Sequence, residues 1–200
     1  MKNSLVILLF FIAGIAAGLS GLVPESLIGG DASHWALFAL MFCVGISLGN
    51  DTKVLRDLKS MDPRLLLLPL MTITGTLAGC AIVSICLPAR SVLDCLAVGS
   101  GFGYYSLSSI FINEFKGTEL GTVALLANIM REIITLLGAP LMARWFGKLA
   151  PISAGGATSM DTTLPIIARC CGDDFVILSI FHGFTVDFSV PFLVTLFCNL

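Results

Sequence analysis

Residues 153–165 read SAGGATSMDTTLP. Gly155 and Gly156 loosen the backbone, the hydroxyl residues offer it side-chain partners in place of helix bonds, and Pro165 works against a helix running continuously through the segment. One carboxylate, Asp161, stands in the middle. The chain around it has 200 residues, of which 56% are hydrophobic and only 12% charged, with a mean hydropathy of +0.98. Soluble domains carry about 25% charged residues. An acid beside a helix break in so apolar a chain predicts irregular backbone at membrane depth, which survives only against protein or beside a wet cavity.

The rest of the chain supports that frame. Five apolar stretches are long enough to cross a bilayer, at about 4–23, 34–50, 65–87, 119–143 and 174–198, given that a crossing needs about 20 residues. The first, SLVILLFFIAGIAAGLSGL, is longer than a secretory h-region and more spans follow, so it reads as a retained helix. The expectation is one polytopic, all-α membrane domain over residues 1–200. The net charge of −2 and the lack of a basic patch argue against nucleic-acid binding. The seven cysteines sit mostly among apolar neighbours without C-x-x-C spacing, so they read as helix-packing residues, with no metal site and no cofactor expected.

Basic residues orient the crossings. Lys2 precedes the first, and Lys53, Arg56, Lys59 and Arg64 follow the second, whereas the loop VPESLIGGDAS between them has none. The N-terminus and residues 51–64 are therefore expected in the cytoplasm. The third crossing then ends outside. Arg144 and Lys148 reach the inside only if residues 92–113 dip in and return on the outer side. A second dip at 152–171, from the inner side, leaves the C-terminus outside. The competing layout has both segments crossing as interrupted helices. The first broken segment contains VGSGFGYYSLSS, glycine- and hydroxyl-rich like the second, and each precedes a long helix with polar residues. That likeness suggests two halves of inverted topology.

The candidate site residues lie on these breaks and helices. Asp161, with Thr158 and Ser159, could simply cap a helix. In a membrane, however, an acid costs about 2.5–3.5 kcal/mol to insert, and a neutral cap avoids that cost, so Asp161 is read as a cation or proton ligand. Asn128, Arg131 and Glu132 share one helix face by their spacing. Arg131 and Glu132 could be a structural pair. Otherwise Arg131 suits a substrate carboxylate and Glu132 an amine or proton. His182 and Asp187 share the last helix. His182 could be only a helix–helix hydrogen-bonding group or could handle protons, and Asp187 could titrate with it or alone. Gly101, Gly103, Tyr105 and Ser106 line the first break, where Tyr104 and Tyr105 could equally be interfacial belt residues. Asp94 reads as a helix cap. No H-E-x-x-H, G-x-S-x-G or phosphate loop is present, so no enzyme is expected. An intramembrane aspartyl hydrolase using Asp161 and Asp187 is a remote alternative.

Four strings in order, SGFGYYSLSSIFINE, NIMREIITLLGAPLMAR, GGATSMDTTLPII and IFHGFTVDFSVPFLV, resemble the C-terminal half of the lysine exporter LysO family. The resemblance runs from about residue 5 to 200 and is densest over 99–193. It implies a multi-pass transporter of the bacterial cytoplasmic (inner) membrane that exports L-lysine and basic analogues such as thialysine. Members of the family carry additional membrane helices ahead of the part matched here. The chain therefore looks like the large piece of a split exporter, with a separately encoded small membrane subunit as partner and a homo-oligomer left open. Lysine carries both signs of charge, so half-helix N-termini and Arg131 could meet its carboxylate and Asp161 an ammonium. An acid that binds either a proton or an ammonium would couple export to proton entry by competition. A non-transporting membrane subunit or scaffold is the competing function.

Overall fold

The computed structural model describes residues 63–200, together with single helical positions between residues 13 and 46. The crossings expected at 4–23 and 34–50 and most of the basic loop at 51–64 lie outside the described residues. Residues 63–200 belong to the second of two compact units, residues 52–200.

No strand occurs among the described residues. After a 3-10 turn at Leu65–Leu67, helix α1 (Leu68–Cys86) begins with Pro69 in its first turn, where the missing N–H costs nothing. Its large side chains Leu70, Met71, Ile82 and Ile85 are exposed, as on a helix meant for hydrocarbon. Helix α2 (Val92–Gly99) starts at a capping box: Asp94 N–H donates to Ser91 Oγ at 3.0 Å and Ser91 N–H donates to the Asp94 carboxylate at 3.3 Å. Asp94 thus serves the cap from the third helical position, with Ser91 as the N-cap residue itself. A break at residues 100–104 leads to α3 (Tyr105–Lys116), and α4 (Thr118–Phe146) follows directly. Helix α5 (Ala150–Gly155), a 3-10 turn (Gly156–Met160) and α6 (Leu164–Cys171) form the second broken segment. The last helix is α7 (Val176–Asn199).

Among the described residues three helical stretches are long and apolar enough to span a membrane: Leu65–Cys86, Thr118–Phe146 and Asp173–Asn199. At 29 residues the middle one runs past the 119–143 expected from sequence. It stops not at Arg144 but at Gly147, where φ is +88°. Similarly, α3 runs to Lys116 and ends at Gly117, just as α6 ends at Gly172, with φ of +92° and +100°. Both glycines close the helix through their N–H, to Asn113 O at 3.0 Å and Ala168 O at 2.9 Å.

The broken segments are hairpins, and their ends lie at opposite ends of α4. Before α2, Arg90 is paired with Glu119 in the first turn of α4, and α3 finishes two residues before α4 begins. Segment 90–117 therefore leaves and returns at the α4 N-terminus. At the other end, Cys171 Sγ donates to Lys148 O at 3.1 Å, and the Lys148 ammonium lies 5.3 Å from the centre of the Phe175 ring. Segment 147–175 leaves and returns at the α4 C-terminus. A core of Ile152, Ile167, Cys171 and Leu178, flanked by Leu65, Leu68 and Phe175, packs this second hairpin.

The tips of the hairpins meet beside the middle of α4. Ala157 N–H donates to Phe102 O at 2.9 Å. The approach is so close that a Cβ on Gly156 would lie 2.2 Å from that carbonyl oxygen. Phe102 itself has φ of +46° and is fully buried, an αL conformation that a bulky residue adopts only when its surroundings impose it.

Candidate functional site

The site begins with how the backbone groups freed by each break find partners, since hydrocarbon supplies none. At the first break the answer is Asn128 on α4, 4% exposed. Its Oδ1 accepts from Gly103 N–H at 2.7 Å. Its Nδ2 donates to Ala124 O at 2.8 Å and lies 3.3 Å from Val98 O and 3.4 Å from Ser108 Oγ. Gly101 is small because a Cβ there would come within 2.4 Å of Asn128 Nδ2. One amide side chain thus stitches both arms of the first hairpin to α4.

One turn further along α4, Arg131 serves the second break. Its Nε donates to Ala154 O and its Nη2 to Ser153 O, both at 2.9 Å. Nη1 reaches Thr76 Oγ1 on α1 at 3.4 Å. The guanidinium centre lies 6.0 Å from the Phe102 ring centre. A cation on the last carbonyls of α5 satisfies acceptors that have no helical partner and opposes the negative end of that helix. The fork that the sequence offered to a substrate carboxylate is therefore engaged with protein on two of its edges. Its third contact, to Thr76, borders a groove of about 490 Å³ lined by Thr76, Met130, Arg131, Ile134, Thr135 and Ala154.

Hydroxyls complete the second break. Thr158 Oγ1 donates to Gly155 O and Thr163 Oγ1 to Thr158 O, both at 2.9 Å. Ser159 Oγ lies 2.8 Å from Gly156 O, 3.0 Å from Ser179 O and 3.0 Å from His182 Nδ1. The other ring nitrogen, Nε2, is 2.9 Å from Thr72 Oγ1, which in turn bonds Ser153 Oγ at 3.0 Å. His182 is fully buried. Both of its nitrogens face hydroxyls, which donate or accept as needed, so a neutral ring is fully satisfied here. It ties α1, the second break and α7 together.

The carboxylates are arranged differently. Asp161 follows the 3-10 turn and is exposed, and its Oδ1 accepts from the N–H and Oγ1 of Thr162. Asp187 on α7 is only 6% exposed and makes no hydrogen bond or ion pair among the described residues. The two acids are within charge range of each other, and Tyr104, the residue just before α3, is within range of both. Glu132 is half-buried on the flank of α4. Tyr105 and Ser106 are exposed in the first turn of α3, with Ser106 bonded to Tyr104.

Three groups result: Gly101 and Gly103 with Asn128; Thr158 and Ser159 with His182, and Arg131 at the neighbouring carbonyls; and Asp161 with Asp187. Sequence reasoning missed Thr72, Thr76 and Ser153. The first two had a signal, being hydroxyl residues four apart on one face of a largely apolar helix. Thr74 between them only bonds Leu70 O of its own helix at 2.9 Å.

Residues 8–198 match the family model described as lysine exporter LysO. The chain is 34% identical over 186 residues to a protein named lysine exporter LysO from Escherichia coli K12, covering 93% of this chain and 61% of that protein. It is 31% identical over 165 residues to a putative lysine exporter of Haemophilus influenzae Rd, covering 82% of this chain and 83% of that protein. No solved structure matches. The chain spans about 61% of the length of the Escherichia coli relative. With a family match over nearly all its residues and an all-α membrane architecture, the chain belongs to the lysine exporter LysO family.

Proposed function

We propose that this chain forms the membrane-embedded core of a secondary transporter that exports L-lysine and basic analogues such as thialysine from a bacterial cell by proton antiport. The observation that carries this reading is the meeting of two broken hairpins, tip to tip, beside polar groups in the middle of a membrane-spanning helix. Discontinuous helices around a midplane site are a common plan of secondary transporters. The relatives' names supply the substrate class. No bond is made or broken in such a cycle, so the reading is not of an enzyme.

In this reading the protein is a multi-pass protein of the inner membrane. The hairpin with Arg90 and Glu119 at its base enters from outside, and the one with Lys148 and Arg169 enters from the cytoplasm. Asp161, at the end of the second break and just before α6, binds either a substrate ammonium or a proton, with Glu132 on α4 as a second acid. A substrate carboxylate in the groove beside Arg131 would exchange with the 3.4 Å Thr76 contact while Nε and Nη2 keep bracing α5. Moving one positive charge outward against an inside-negative potential costs about 2.3 kcal/mol per 100 mV, which an inward proton offsets. A separately encoded small membrane subunit completes the transporter.

The test is resistance to thialysine in cells producing this chain together with that subunit. Asp161→Asn, at undiminished membrane abundance, should abolish resistance; full retention would refute the coupling role. Independently, cysteines placed at 147–150 should react from the cytoplasmic side only, and external reaction would refute the opposed-hairpin layout.

A further inference from the structure

One group is left without a role by the contacts above. Asp187 is 6% exposed, sits in the middle of a membrane-spanning helix and has no hydrogen bond or ion pair among the described residues. A buried carboxylate in that condition is either neutralised or faces a strong penalty. A second carboxylate within charge range, Asp161, makes simultaneous ionisation of both costlier still.

Among the described residues no cation is paired with Asp187. The Arg131 guanidinium is bound to Ala154 O, Ser153 O and Thr76. His182, five residues away on the same helix, has both ring nitrogens on hydroxyls. Asp94 and Lys116 interact with Cys198, three turns beyond Asp187 toward the other end of α7. The groups within electrostatic range of Asp187 are oxygens, the Asp161 carboxylate from the second break and the Tyr104 phenol from the first. Gly183, one turn before Asp187, packs so tightly on Met160, the residue before Asp161, that a Cβ there would lie 2.7 Å from it. Three elements thus place three oxygen groups in one electrostatic neighbourhood, with no described cation paired to the buried one.

We propose that Asp187, Asp161 and Tyr104 form a single exchangeable cation site, in which the buried Asp187 holds the coupling ion, a proton, and releases it when a substrate ammonium enters beside Asp161. This deepens the antiport reading and rests on it. It assigns the two acids different duties. The exposed Asp161 meets the substrate from the aqueous side, while Asp187 keeps the counter-ion out of water. Tyr104 supplies a neutral oxygen from the opposite hairpin, so occupation of the site registers on both hairpins at once.

The test does not need transport. Dicyclohexylcarbodiimide enters the bilayer and modifies protonated carboxyls in apolar surroundings. Membrane vesicles containing the full chain are treated with it in choline chloride, in choline chloride with millimolar L-lysine, and in sodium chloride. The peptide carrying Asp187 is then quantified by mass spectrometry. Asp187 should be modified in choline, and lysine should lower the modification by about five-fold or more, the low end of ordinary coupling between two ligands. In Asp161→Asn the lysine effect should fall below about two-fold, under that coupling range. Suppression by sodium alone would support the site while replacing the proton with an alkali ion, and would overturn proton antiport. Absence of modification at Asp187, or modification indifferent to both lysine and sodium, would overturn the site. Failure of the wild-type chain to confer thialysine resistance would sink the exporter reading without altering the labelling result. In the same resistance assay Asp187→Asn should lose function and Asp187→Glu should keep part of it. Equal retention by both would also overturn the proposal.

Discussion

The two hairpins solve the same problem with different chemistry. Each breaks its helix near the middle of α4 and must satisfy backbone groups where water is scarce. The first uses a neutral amide, Asn128, which accepts from Gly103 N–H and donates to carbonyls on α2 and α4. The second uses a cation on the α5 carbonyls, a chain of hydroxyls and a buried histidine, and carries an acid at its exit. The first is a closed brace, since the side chain from α4 that hydrogen-bonds its backbone is an uncharged amide. The second holds its shape by polar contacts to α1, α4 and α7 together, so displacement of any one of those helices reaches it. In a transporter that asymmetry suits one hairpin to scaffold and the other to ligand exchange.

Substitutions can break or sharpen the contrast. The largest effect is expected at the crossing of the tips. Gly156→Ala places a Cβ 2.2 Å from Phe102 O at a φ of +61°, and should destabilise by more than about 3 kcal/mol. Thermal unfolding of the detergent-solubilised chain measures it. At Gly103, where φ is +98° and the nearest atom is Gly155 O at 3.2 Å, alanine should cost less. Equal costs would mean that the hairpins do not cross as described.

The next effects separate the two braces. Asn128→Leu leaves the buried Gly103 N–H without its acceptor, a loss of about 1–3 kcal/mol. Its export activity should fall only as its abundance falls. Arg131→Lys keeps the charge but cannot hold two adjacent carbonyls with one planar fork. Its stability loss should be of similar size, about 1–3 kcal/mol, with transport per molecule also reduced. If transport per molecule falls for Asn128→Leu and not for Arg131→Lys, the division of labour is reversed. The smallest pair lies on α1. Thr72→Val removes the His182 Nε2 partner and should cost about 1 kcal/mol, whereas Thr74→Val should stay within about 0.5 kcal/mol, as exposed sites do.

Much of this was legible beforehand because helix termination is local. Gly103, Gly117, Gly156 and Gly172 all take positive φ, and Pro69, Pro151 and Pro165 all stand in first turns of helices. Such signals act within a few residues. The partners of the polar groups were not legible in the same way. Asn128, Arg131 and Glu132 share a face by spacing, yet one binds Gly103, another binds carbonyls 22 and 23 residues away, and the third stands aside. Sequence pattern ranked Asp161 above Asp187, because glycines and hydroxyls surround it. In the folded chain Asp187 is the buried acid and Asp161 the exposed one.

The amino-acid sequence by itself determined an apolar all-α chain, the glycine- and hydroxyl-rich places where its helices break and which ionisable groups stand among them, since composition and short-range backbone sterics suffice for that. Only the tertiary structure decided that the hairpins meet at Phe102 and Ala157, that Arg131 braces α5, and which carboxylate lies out of water. Those outcomes depend on distances between segments far apart in the chain, set by how whole helices pack.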